Sequence, residues 1–102
     1  ACVVLPEGEE PRVVEAAAIL RREEKLRALL LGDPWRVRAV AAGLGLGADD
    51  LEVLDPVARS ADPRYLELYQ QARPGTRPEV ARRLVARPLF HAGLMLRAGE
   101  AD

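Results

Sequence analysis

Histidine, cysteine and hydroxyl side chains supply most protein nucleophiles, proton carriers and soft metal ligands, and this chain has few of them. His91 is the only histidine and Cys2 the only cysteine, so a zinc site built from several such ligands cannot be assembled within it. Beside Phe90 in an apolar helical pattern, His91 reads as structural rather than catalytic. Cys2 opens an apolar run with no cation or base beside it in sequence, and reads as an inert strand residue. Ser60 and Thr76 are the only hydroxyl residues apart from tyrosine, and neither sits in a nucleophile-elbow pattern. A self-contained Ser-His-Asp hydrolase is therefore not expected. The glycines of Leu44-Gly45-Leu46-Gly47 follow a helical pattern, where they terminate and turn rather than cradle a phosphate.

Two segments remain as ligand-site candidates. Leu5-Pro6-Glu7-Gly8-Glu9 closes the first apolar run, and ligands of open α/β sheets gather outside the carboxyl ends of the strands. A basic knot surrounds Arg73-Pro74-Gly75, and a planar guanidinium suits phosphate oxygens. The bland reading of Arg73 is a helix-end cation favoured by the dipole.

The elements that must position these segments follow from pattern and punctuation. Cys2 to Leu5, closed by Pro6, reads as a strand buried on both faces. Pro11 suits a first helical turn, and a helix is expected from about 11 to 25, with Val13, Ala17 and Leu20 at helical spacing. Leu26 to Leu31 is a second strand. Asp33-Pro34 caps a second helix that ends among the glycines at 43, 45 and 47. Leu51 to Leu54 is a third strand, closed by Asp55-Pro56. Strand, helix, strand, helix, strand is the pattern of two βαβ crossovers in a parallel sheet. Beyond Asp55 the chain reads as wholly helical: one helix from Asp62-Pro63 to about Ala72, one over Pro78 to Ala86, and one from Pro88 with Gly99 at its C-cap.

A length of 102 residues is one domain's worth of chain. With 15 basic and 16 acidic groups the net charge is −1, which lacks the basic excess of a general nucleic-acid binder. The charge is uneven, since residues 1–58 carry 7 basic and 11 acidic groups while residues 59–102 carry 8 and 5. A modest positive field in the second half suits a phosphate-bearing ligand. A lone cysteine fits a reducing compartment, and charges interrupt every apolar run well before the roughly 20 residues a membrane span needs. A cytoplasmic location with no membrane partner is the expectation.

The same segments carry a family resemblance. Val3-Val4-Leu5-Pro6-Glu7-Gly8-Glu9-Glu10 followed by Arg12-Val13 resembles the opening of the phosphate acetyltransferase and phosphate butyryltransferase family. Later landmarks fall in the same order: Leu29-Leu30-Leu31-Gly32, Asp55-Pro56, a helix ending at Arg73, Gly75 with Pro78-Glu79 and Ala81, and Gly99-Glu100-Ala101-Asp102. The arrangement is also similar to the phosphotransacetylase-like domain of some malic enzymes. One departure is Arg77, where the family often has a threonine; Thr76 is expected to take over that helix cap.

The resemblance implies a three-layer αβα sandwich with a parallel sheet core, the first part of a two-domain phosphate acyltransferase fold. Residues 1–102 would be its N-terminal domain, incomplete at its C-terminal end. The implied function is transfer of an acetyl or other acyl group between coenzyme A and inorganic phosphate, with coenzyme A as substrate and no further cofactor. Arg73, Glu7 and Gly8 are the implied substrate-binding residues. No catalytic residue is assigned, because the family's catalytic aspartate lies in a later portion of the fold. The alternative is a non-catalytic ligand-sensing or oligomerisation module. Homo-oligomerisation, or association with the remainder of the fold, is expected in either case.

Overall fold

The computed structural model describes all residues from Ala1 to Asp102. Three strands, β1 (Cys2–Leu5), β2 (Arg27–Leu31) and β3 (Glu52–Leu54), form a parallel sheet in the order β1-β2-β3. Two helices, α1 (Pro11–Glu23) and α2 (Pro34–Gly43), make the crossovers. Four more follow β3: α3 (Pro56–Arg59), α4 (Pro63–Ala72), α5 (Pro78–Val85) and α6 (Pro88–Arg97).

All six helices begin on a proline, whose missing N–H costs nothing in the first turn. The first four are also capped by an acidic side chain. Glu10, Asp33, Asp55 and Asp62 each accept from backbone N–H groups of the turn that follows, which places carboxylate charge at the positive end of each helix. At α5 the N-cap is Arg77, and it makes no capping bond. The expectation for Thr76 is therefore corrected: its Oγ1 donates to the Arg73 carbonyl at 2.9 Å, turned back toward α4. Arg87, the N-cap of α6, likewise makes no side-chain capping bond.

The helices cover both faces of the sheet, which gives the three-layer αβα arrangement. On one face, Val14 and Ala17 of α1 and Val37 and Ala41 of α2 pack with Ala28 and Leu30. On the other, Leu29 and Leu31 meet Tyr65 of α4, Val85 of α5, and Ala92, Leu94 and Met95 of α6. Alternation along β2 feeds the two layers in turn.

Two sequence expectations shift. Only the central strand is buried along its length, from Ala28 to Leu31; β1 and β3 are half-buried throughout, because each is an edge with one neighbour. The first helix ends at Glu23 rather than near 25. Lys25 adopts a left-handed φ of 53°, and the N–H of Leu26 reaches back to the Leu20 carbonyl, closing the helix without a glycine. On the outer side of β1, the N–H of Asp102 donates to the Cys2 carbonyl and the Cys2 N–H donates to the Asp102 carboxylate.

Candidate functional site

The carboxyl ends of the three strands open onto two adjoining grooves. The first, about 480 Å³, is lined by the Pro6–Pro11 turn, Leu31 and Pro88. The second, about 380 Å³, is lined by Glu9, Gly32, Asp33, Arg36, Asp55, Pro56, Val57, Ala86 and Pro88. The turn at Gly8 fixes the first wall. Its N–H donates to the Leu31 carbonyl at 3.0 Å, and a Cβ added there would lie 2.5 Å from that oxygen. Glycine is required because backbone meets backbone. Gly8 is buried, so its part in any site is to shape this wall.

Glu7 is exposed and makes no side-chain hydrogen bond, so its carboxylate is free at the rim, while its carbonyl accepts from the N–H of Glu10 at 3.1 Å. Glu9 joins the strand-end loops. Its Oε2 accepts from the Asp33 N–H at 3.1 Å, and its Oε1 lies 3.6 Å from Nη1 of Arg36. Asp33 and Asp55 spend their carboxylates capping α2 and α3. The second groove thus has three acidic linings and one cation, Arg36, and the N-termini of α2 and α3 beside it already hold carboxylates.

Arg73 stands apart from this pair of grooves and lines neither. It is the C-cap of α4, its N–H donating to the Tyr69 carbonyl at 2.8 Å. The turn beyond it is set by Gly75 at a φ of 89°. The guanidinium is exposed and forms neither an ion pair nor a hydrogen bond, which leaves all five of its donors available. Glu7 and Gly8 are thus brought together in one turn, and Arg73 is presented separately.

The strongest polar cluster was not singled out from the sequence. Glu100, just past α6, accepts from the Tyr65 hydroxyl at 2.6 and 2.8 Å, from Arg64 at 2.9 Å, and from Arg59. Both guanidinium groups also lie over the Tyr65 ring, 5.2 and 5.6 Å from its centre. Burial pushes the Glu100 carboxyl up, but the Tyr65 hydrogen bond and the two arginines outweigh it and hold the carboxyl below its ordinary value. Burial, with the Glu100 hydrogen bond, pushes the Tyr65 hydroxyl up to about 12. Beneath lies His91, wholly buried, its ring 4.6 Å from that of Tyr65 and its Nδ1 3.0 Å from the Val85 carbonyl. Burial holds the imidazole below its ordinary pKa. This cluster clamps α3, α4 and α6 together, and its acceptor is already saturated with donors. Ser60 and Thr76 are also committed: Ser60 donates to the Val57 carbonyl at 2.7 Å and Thr76 to that of Arg73.

Parallel strands, helices on both faces and grooves beyond the strand ends define an open α/β domain of the class that binds small ligands at its strand carboxyl ends. The phosphate acetyl/butaryl transferase family model matches residues 1–102, and the chain belongs to that family. It is 41% identical over 104 residues to a phosphate acetyltransferase of Salmonella typhimurium and 34% identical over 102 residues to one of Nitratidesulfovibrio vulgaris. Each comparison covers 98% of this chain and 14% of the relative. Among solved structures, the EutD phosphotransacetylase from Staphylococcus aureus superposes with a TM-score of 0.91 at 29% identity, covering 100% of this chain and 31% of that one. The chain therefore spans less than a third of these relatives' lengths.

Proposed function

We propose that this chain is part of a phosphate acetyltransferase, contributing to the binding of coenzyme A and phosphate in acyl transfer between them. The observation that carries this reading is family membership along all 102 residues together with the structural match to a phosphotransacetylase. In the proposed reaction the coenzyme A thiolate attacks the carbonyl carbon of an acyl phosphate. The carbon–sulfur bond forms, the bond from that carbon to the bridging oxygen breaks, and inorganic phosphate leaves with that oxygen and the electron pair. Cationic donors that hold phosphate charge in the transition state supply electrostatic stabilisation.

Within this reading Arg73 binds a phosphate group through its guanidinium fork. Gly8 shapes the turn that presents the exposed Glu7 at the groove rim. The groove's acidic lining, Glu9, Asp33 and Asp55, supports giving the phosphate contact to Arg73 rather than to the strand-end loops. No residue of this chain is assigned the task of activating the thiol. Acyl phosphate formation from acetyl-CoA and phosphate by the pure chain is accordingly expected to stay at the uncatalysed background, because positioning alone supplies only part of the rate. Turnover well above that background would overturn the division of labour. A cytoplasmic setting and association with further copies or with the rest of such a fold belong to the same proposal.

A second reading has one observation in its favour: Arg73 lines neither strand-end groove, so the implied binding residues are not brought into one site within this chain. It is a non-catalytic module that senses a ligand or joins subunits. Coenzyme A binding without turnover fits both readings. Turnover appearing when the chain is combined with the rest of a phosphate acetyltransferase decides for the first.

A further inference from the structure

Of the 14 arginines, Arg22, Arg27, Arg36, Arg59 and Arg64 are in ion pairs with carboxylates. The others have no such partner, and four of those, Arg77, Arg82, Arg83 and Arg87, fall within or beside α5, where Glu79 is the only carboxylate. All four are exposed. The helix turns Ala81 and Val85 into the core. Val80, Arg83 and Leu84 follow at i, i+3 and i+4 of α5, and with Arg87 in the turn beyond it they line an open groove of about 400 Å³. Two half-buried aliphatic side chains thus form a floor between two unpaired guanidinium groups.

We infer that this face of α5 docks an acidic, amphipathic helical segment of a protein partner. Charge complementarity selects the sign: a local excess of three positive charges over residues 77–87 faces solvent in a chain whose net charge is −1. The floor selects the class of partner. Val80 and Leu84 gain from apolar side chains placed on the same face as the carboxylates, which an amphipathic helix supplies. A single-stranded nucleic acid would instead need aromatic platforms for its bases, and none lines this groove. Arginine rather than lysine at the edges also suits a protein interface, since the guanidinium pairs with carboxylates in a planar, bidentate way.

The inference is independent of the acyltransferase reading, and its test separates the two. The probe is a fluorescent helical peptide with glutamates at i, i+4 and leucines on the same face, titrated with the 102-residue chain at about 0.15 M salt and followed by anisotropy. Saturable binding is expected, weakened about ten-fold or more by Arg83→Glu with Arg87→Glu, and by exchanging the peptide's glutamates for glutamine. The gentler pair Arg83→Gln and Arg87→Gln should weaken it in the same direction, with unchanged circular dichroism. Arg97→Glu, an exposed and unpaired arginine on α6, should leave it unchanged. Absence of peptide binding, equal loss in Arg97→Glu, or tighter binding of poly-U of matched charge would each overturn the inference. Displacement of the peptide by coenzyme A would assign these arginines to the substrate site and overturn it too.

Discussion

The hydroxyl of Tyr65 donates to both oxygens of the Glu100 carboxylate, at 2.6 and 2.8 Å, and thereby ties the first turn of α4 to the chain segment that leaves α6. Arg59 and Arg64 complete the carboxylate's shell. Removing the acceptor strands a buried hydroxyl and the part-buried Arg59, while the exposed Arg64 returns to solvent. Glu100→Ala is expected to cost about 2 to 4 kcal/mol, and Tyr65→Phe, which removes one donor and leaves the ion pairs, about 1 to 2 kcal/mol. Urea midpoints at neutral pH check both. Because the folded carboxyl titrates below its ordinary 4.5, its contribution is fully present above that pH and is lost as pH falls through the folded value. Glu100→Gln should flatten that acid limb.

His91 gives a second pH dependence with a different window. Its imidazole is buried as the neutral base, with a folded pKa below the ordinary 6.5. Below 6.5 the unfolded chain takes up a proton that the folded chain refuses, so stability falls as pH drops from 6.5 toward the folded value. Denaturant titrations between pH 7 and about 5 should show this slope. In His91→Phe the slope should vanish. A slope that persists unchanged would show that another group carries it.

Two glycines make a matched test of the strand-end turn. At Gly8 an added Cβ would meet the Leu31 carbonyl oxygen at 2.5 Å, so Gly8→Ala should destabilise by about 2 kcal/mol or more as backbone is forced away from backbone. Gly93, inside α6, has nothing within 4 Å of the same position. Gly93→Ala should therefore stabilise by roughly 0.5 to 1 kcal/mol through helix propensity alone. Opposite shifts in thermal midpoint confirm the geometry, and equal shifts contradict it.

Much of the fold could be read from local punctuation. Pairs such as Asp33-Pro34 and Asp62-Pro63 state where a helix begins within two adjacent residues, and the structure starts helices at both. Asp55-Pro56 reads from the sequence only as the end of the third strand; it also opens the short helix Pro56–Arg59, which has too few residues to show a period. Edge and centre could not be distinguished, since apolar runs like Cys2–Leu5 and Ala28–Leu31 look alike until strand order is known. The Glu100 cluster was invisible for a different reason: its partners lie 35 to 41 residues away, and no local pattern links them. At the strand ends, the turn at Gly8 was legible because its residues are contiguous, whereas the bond from the Asp33 N–H to Glu9 joins two loops.

The proposal that Arg73 holds a phosphate group is the point at which family membership becomes a claim about one side chain of this molecule. Calorimetric titration of coenzyme A into the chain, Arg73→Lys and Arg73→Ala tests it most directly. A guanidinium fork contributes two parallel contacts that an ammonium cannot reproduce, so both variants should lose about ten-fold or more in affinity. Stability should change by no more than about 0.5 kcal/mol, because the side chain is exposed and unpaired. Unchanged affinity in Arg73→Ala, or full rescue by Arg73→Lys, would contradict the account and leave Arg73 as an ordinary cation at the end of α4.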